Sequence, residues 1–150
     1  METTNTIEPA APEQDKLSKV WLTVFGVIFL IVFYIALDAN KYRAQVRVIE
    51  GEGKVGVNPT TEKLDFGDLS RGTTGVRRVD IDNGTSIPMW IAIVKLGSIS
   101  SLVQIDKNFF VLKPHTNERI EFGLYMPASG EVGSLYTGRV FIFRIPAPGA

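Results

Sequence analysis

Residues 58–75 read NPTTEKLDFGDLSRGTTG, and the fold turns on what this stretch is. It mixes acids, hydroxyls, an arginine and glycines, the ingredients of a phosphate-binding or catalytic loop. A phosphate cradle, however, needs its glycines at set spacing before a helix whose N-terminus receives the anion. No 3.6-residue apolar pattern of useful length follows. Residues 75–82 instead alternate, with Val76, Arg78 and Asp80 set against Arg77, Val79 and Ile81. The stretch therefore reads as an early strand and corner of a β-domain. In that reading Phe66 packs inward, Gly67 and Gly72 take turn conformations, and Asp65, Asp68 and Arg71 stay solvated.

The period of two extends outward from there. Val46 and Val48, then Val55 and Val57, alternate with polar neighbours. Apolar runs follow at residues 89–96, 102–105, 109–112, 120–126 and 140–145. Gly, Pro, Asn and Ser separate them at intervals of about 8–12 residues, the spacing of a sandwich rather than of an α/β fold. The expectation is an all-β domain over residues 46–146, an immunoglobulin-like β-sandwich of seven to nine strands, with residues 147–150 as a C-terminal tail. The chain has no cysteine. Disulfides, zinc fingers, iron–sulfur ligation and thiol catalysis are thereby excluded, and the two sheets must be held by their apolar inner faces. Phe66, Trp90, Phe110, Phe122, Phe141 and Phe143 are assigned to that core, because burying such rings is what stabilises a small sandwich.

Ahead of the domain, residues 20–37 read VWLTVFGVIFLIVFYIAL, without a charge. Eighteen residues at about 1.5 Å each give about 27 Å, close to the hydrocarbon thickness of a bilayer. β-Branched residues do not argue against a helix here, since a lone strand in lipid leaves its backbone groups unpaired. A transmembrane helix is expected over residues 19–38, meeting lipid through residues 20–37. Trp21 at one end and Tyr34 and Tyr42 at the other are assigned to the membrane interface, with Lys19 and Lys41 flanking. The competing reading is a cleaved signal peptide, whose apolar run is usually about 7–15 residues; a cut after Ala39 would also put Leu37 where a small residue is wanted. Residues 1–18 are rich in Thr, Pro, Glu and Asn and read as a flexible polar tail, and residues 39–45 as a polar linker. For orientation the signs conflict. Lys41, Arg43, Arg47 and Lys54 after the helix outnumber Lys16 and Lys19 before it, which favours a cytoplasmic domain, yet long domains translocate largely regardless of charge. A short tail, one helix and a sandwich is the layout of outward-facing envelope proteins, and an extracytoplasmic domain is the expectation.

A set of motifs resembles a known family. Asn58-Pro59, Leu64-Asp65-Phe66-Gly67-Asp68-Leu69, Arg71-Gly72 and Val79-Asp80-Ile81-Asp82-Asn83 resemble the N-terminal pattern of ASH and hydin-type immunoglobulin-like domains. Phe110-Val111-Leu112-Lys113-Pro114, Ile120-Glu121-Phe122, Pro127 and Tyr136-Thr137-Gly138-Arg139-Val140 fit the same pattern, which is also that of the related major sperm protein fold. The resemblance implies a sandwich of seven to nine strands used for protein–protein contact, with neither catalysis nor cofactor. The N-terminal helix departs from the eukaryotic members, so no binding residue is carried over.

Acids and bases are equal at 16 each, and they are interleaved, which argues against a nucleic-acid surface. His115, the one histidine, sits in a turn-like Lys113-Pro114-His115-Thr116-Asn117, without the further ligands a metal site needs. Asp80 and Asp82 share a strand face, conceivable as a calcium or glycosidase pair but simpler as a solvated surface. Asn83-Gly84-Thr85 is both a glycosylation sequon and a tight-turn signal, making Asn83 a candidate for modification. Phe25, Phe29 and Phe33 form a ridge along the helix without a small-xxx-small pair, the pattern of lipid-facing bulk. No nucleophile–base pair, metal set or cofactor motif can be assembled. The function expected is a single-pass membrane-anchored interaction module, a structural, assembly or adhesion component of the cell envelope. The alternative is an accessory subunit of a membrane enzyme or transporter complex. Its protein partner is expected at a sheet edge formed by Arg47, Val48 and Ile49 or by residues 141–145.

Overall fold

The computed structural model describes residues 14–56 and 62–149. Val57, Asn58 and Pro59 and most of the tail expected over residues 1–18 lie outside this range. The chain divides into two compact units, Met1–Tyr34 and Ile35–Ala150.

The first helix, α1, spans Gln14–Asp38. Its stretch Leu17–Asp38 is long and apolar enough to cross a membrane, and none of it is buried against protein. Trp21 and Tyr34 are both exposed. The i, i+4 spacing brings aromatic rings together along one stripe: Trp21 lies 6.1 Å from Phe25, and Phe29 stacks on Phe33 at 6.0 Å.

Among its described residues the second unit is a two-sheet β-structure of nine strands, the architecture expected of a sandwich. The strands are β1 (Asn40–Ile49), β2 (Val55–Gly56), β3 (Leu64–Ser70), β4 (Thr74–Asn83), β5 (Met89–Gly97), β6 (Val103–Ile105), β7 (Phe110–Leu112), β8 (Thr116–Tyr125) and β9 (Leu135–Pro146). One sheet has the order β2-β3-β1-β9-β5-β7 and the other β4-β8-β6. A short 3-10 helix, Ser98–Ser101, leads from β5 into β6. Between the sheets lies one core, built from Ala44, Val46 and Val48 on β1, Ile91 and Ile93 on β5, Ile120, Phe122 and Leu124 on β8, and Val140 and Ile142 on β9. Each contributes at alternate positions, because successive side chains of a strand point to opposite faces.

Residues 39–45, expected as a linker, are instead mostly the first half of β1. Their alternation is concealed by long polar side chains on the outer positions, Lys41, Arg43 and Gln45, while Ala44 is fully buried. Tyr42, assigned to the membrane interface, stands on the inner side of β1. Its ring is half-buried and packs against the core, with the Lys63 ammonium 5.8 Å from the ring centroid.

The stretch LDFGDL is β3, and it carries a bulge. Gln45 pairs with Asp65 but Arg47 with Asp68, so β3 spends one more residue than β1 over the same distance. Gly67 supplies the extra residue at φ 74°, a conformation that costs glycine nothing. It is therefore part of a strand rather than a turn; Gly72, at φ 73°, does lie in the turn leading to β4. The bulge explains a pattern that strict alternation cannot: Leu64 and Phe66 face the core two apart, and Leu69 joins them three further on.

A second glycine feature fixes the spacing of β5 and β9. Gly97 and Gly138 are ladder partners. A Cβ on Gly138 would lie 2.2 Å from the Leu96 carbonyl oxygen, and one on Gly97 2.6 Å from the Gly138 Cα. Gly138→Ala is expected to lower the unfolding free energy by about 1–3 kcal/mol, the usual cost of overpacking, as read by chemical denaturation; an unchanged midpoint would show that the two strands part freely there.

Candidate functional site

Asp65 is buried, at 2% exposure, rather than solvated as expected. The bulge is the reason. The Gly67 N–H donates to its Oδ1 at 2.8 Å, and the Gln45 side-chain amide donates to its Oδ2 at 2.7 Å. The Arg77 guanidinium Nε donates to the Asp65 carbonyl oxygen at 2.5 Å, linking β4 to β3. These bonds hold a corner together, and each uses an atom that a ligand would need. Arg71 is also engaged, donating to the Gly130 carbonyl at 2.8 Å.

Asp80 and Asp82 do share the outer face of β4. Asp80 accepts from Arg119, its ladder partner, at 2.7 Å, and Arg78 pairs with Glu121 across the same ladder at 2.9 Å. The Arg119 guanidinium is held above its ordinary pKa by the hydrogen bond to Asp80 and then by its charge. At the rim, Lys107 donates to Glu118, and that bond, with the charge of Glu118, raises the ammonium above its usual value. Exposed pairs of this kind contribute little to stability; here they make the outer face of the three-stranded sheet a solvated, charge-matched surface. His115 is exposed at φ 53°, in the turn before β8. Among the described residues no three His, Asp or Glu side chains group to hold a metal ion.

Asn83 ends β4 and is 2% exposed. Its Nδ2 donates to the carbonyls of Ile87, Leu112 and Lys113 at 3.0, 3.2 and 3.1 Å, while its Oδ1 accepts from the Thr85 N–H and hydroxyl. The sequon asparagine is thus a buried clasp joining the loop after β4 to the end of β7, and its nitrogen is not available to a glycan in the folded domain.

Three aromatic residues assigned to the core lie elsewhere. Phe66 and Phe122 are buried and Phe110 packs against the core, but Trp90, Phe141 and Phe143 point to the outer face of the six-stranded sheet. The inner positions of β5 and β9 belong to Ile91, Ile93, Val140 and Ile142, so the residues between them must face outward. Phe141 stacks on Phe143 at 6.2 Å. Trp90, 38% exposed, lies 5.6 Å from the ring of Phe109. Val94, Leu96 and Val111 extend this apolar surface, and all three are exposed. Beside it, Arg43 and Arg139 are ladder partners flanking a shallow depression whose floor is the Gly97–Gly138 pair.

The open edges also differ from expectation. Both proposed edge segments are interior: β1 lies between β3 and β9, and β9 between β1 and β5. The edges of the six-stranded sheet are β2 and β7, of two and three residues. In the other sheet β6 has three residues, but β4 has ten, and it is laddered on one side only among the described residues. No sequence signal separated β4 from β1 in this respect, since edge or centre is a matter of topology.

Comparison of the chain with family models, with curated proteins and with solved structures gives no match.

Proposed function

We propose that the chain is a single-pass membrane-anchored interaction module, in which α1 spans the bilayer and the β-domain recruits a protein partner as an assembly, adhesion or scaffold component of the cell envelope. The observation that carries this reading is the ten-residue strand β4, whose second edge has no ladder partner among the described residues. Such an edge offers a row of backbone donors and acceptors to an added strand. Arg77, Arg78, Asp80 and Asp82 along β4 deter indiscriminate pairing and give a partner's charges something to match. The resemblance to ASH and hydin-type domains, themselves contact modules, points the same way.

A photo-cross-linking residue at Val76 or Arg78, in the full chain in its native membrane, tests this. An adduct of discrete mass is expected from those β4 positions and not from Arg119 or Tyr125 on β8. Equal labelling from both strands, or none from β4, would sink the edge reading. The aromatic stripe of α1 favours the second reading, an accessory subunit whose helix carries the specificity. In that case the adduct forms from Phe29 and not from β4.

A further inference from the structure

The two outer faces of the domain are built for different surroundings. That of the three-stranded sheet is charge-matched by cross-strand ion pairs. That of the six-stranded sheet is aromatic and aliphatic, and its flanking cations Lys41, Arg43 and Arg139 have no acid paired with them among the described residues. We infer that this second face rests on the surface of the bilayer, with its rings among the upper acyl chains and its cations on anionic phospholipid headgroups.

Four observations select lipid as the occupant. First, the chain itself brings the face there: α1 ends at Asp38 and β1 begins at Asn40, so Lys41 stands three residues past the helix, within about 11 Å of its end however the joint bends. Second, register places the apolar residues at the end where the chain arrives. Asn40 pairs with Ile142, and Trp90 pairs with Ile145, three residues further along β9, about 10 Å past the start of β1. Lys41 is level with Phe141, and Arg43 with Arg139, one step to the other side. Along the strands Trp90 and Phe143 therefore lie toward the end where β1 begins and the arginines toward the other, with Lys41 beside Phe141 and Leu96 beside Arg139 between and among them. The most aromatic rows thus come first, as acyl chain precedes phosphate in a bilayer.

Third, the charge is complementary to anionic headgroups, which attract basic residues held at the membrane surface. Fourth, Phe109 is presented at a cost. It is 61% exposed and sits at φ 56°, in the left-handed region that a bulky side chain avoids. Asn108 holds it there: its Oδ1 accepts from the Ile93 and Phe109 N–H groups, and its Nδ2 donates to the Ile93 carbonyl. A strained, exposed phenylalanine against an exposed tryptophan adds nothing that folding requires, and it is what insertion into an interface uses.

The inference rests on the reading of α1 as a membrane span, and the experiment separates the two. The full chain carrying Trp21→Phe leaves Trp90 as its one tryptophan; the chain carrying Trp90→Phe leaves Trp21. Each is reconstituted, at high dilution in lipid, into vesicles of phosphatidylcholine with or without phosphatidylserine, using acyl chains brominated near the headgroup end as quencher. Trp90 emission is expected to shift to the blue and to be quenched, more strongly with phosphatidylserine. Arg43→Gln and Arg139→Gln should each lower the docked fraction about fivefold, the factor for one cation at an anionic surface. Phe109→Gly should abolish the blue shift while leaving the unfolding midpoint no lower, because glycine accepts the left-handed conformation. An unquenched Trp90 beside a quenched Trp21 overturns the inference and leaves the anchor standing; quenching of neither overturns both. A Trp90 shift that disappears as the chain is diluted in lipid assigns the face to a second copy and overturns it as well.

Discussion

Replacing Phe66 with alanine is expected to lower the unfolding free energy by about 3–5 kcal/mol, the range for emptying a buried aromatic site. Phe66 is 1% exposed. Its ring spans the gap between the sheets at the corner where β3 hands over to β4: a Cβ on Gly75 of β4 would lie 3.3 Å from the Phe66 ring and 3.2 Å from Leu69. That fit leaves nothing able to move in and fill the void, which places the cost toward the upper part of the range. Asp68→Ala, at a half-buried position, should stay within about 0.5 kcal/mol of the parent. Denaturant unfolding of both variants checks the order. A larger loss for Asp68 than for Phe66 would return the stretch LDFGD to the status of a functional loop.

The second large effect is expected at Asn83. Asn83→Ala removes the donor from three buried or half-buried carbonyls and the acceptor from Thr85. With about 1–3 kcal/mol for each buried group left without a partner, the loss should be about 3 kcal/mol. Asn83→Asp discriminates between packing and hydrogen bonding, since it conserves shape. It retains an acceptor for Thr85 but turns an oxygen toward the carbonyls of Ile87, Leu112 and Lys113, and should therefore destabilise at least as much as alanine. An Asn83→Asp chain as stable as the parent would mean that the clasp is not what holds the loop. The same geometry predicts an unshifted peptide mass at Asn83 in chain recovered from a glycosylating host.

Much of the architecture was legible because burial has a period. Val79 and Ile81, Ile91 and Ile93, and Val140 and Ile142 each stand two apart, and each pair lines the core. The charge-free run before Asp38 likewise admits a long helix on composition alone. Periodicity tells which residues share a face, but not which face is inside. Phe141 and Phe143 alternate with Val140 and Ile142, and a sandwich core has room for one of the two sets; the smaller, branched set took it. Trp90 beside Ile91 was decided in the same way. In β1 the pattern was hidden altogether, because Lys41, Arg43 and Gln45 made an inward-facing strand look like a connector.

By itself, then, the sequence determined the parts that follow from local physics: a helix long enough to cross a bilayer, strands with a two-residue period, glycines where the backbone turns left-handed, and a domain with no thiol chemistry. Only the tertiary structure decided which strands are edges, that Asn83 and Asp65 are buried clasps, and that rings and the cations Lys41, Arg43 and Arg139 share one outer face. Those properties depend on pairings between residues far apart in the chain. Asn40 meets Ile142, and Ile142's strand meets Ile93's, through backbone hydrogen bonds that any side chain can accompany, so no local pattern records them.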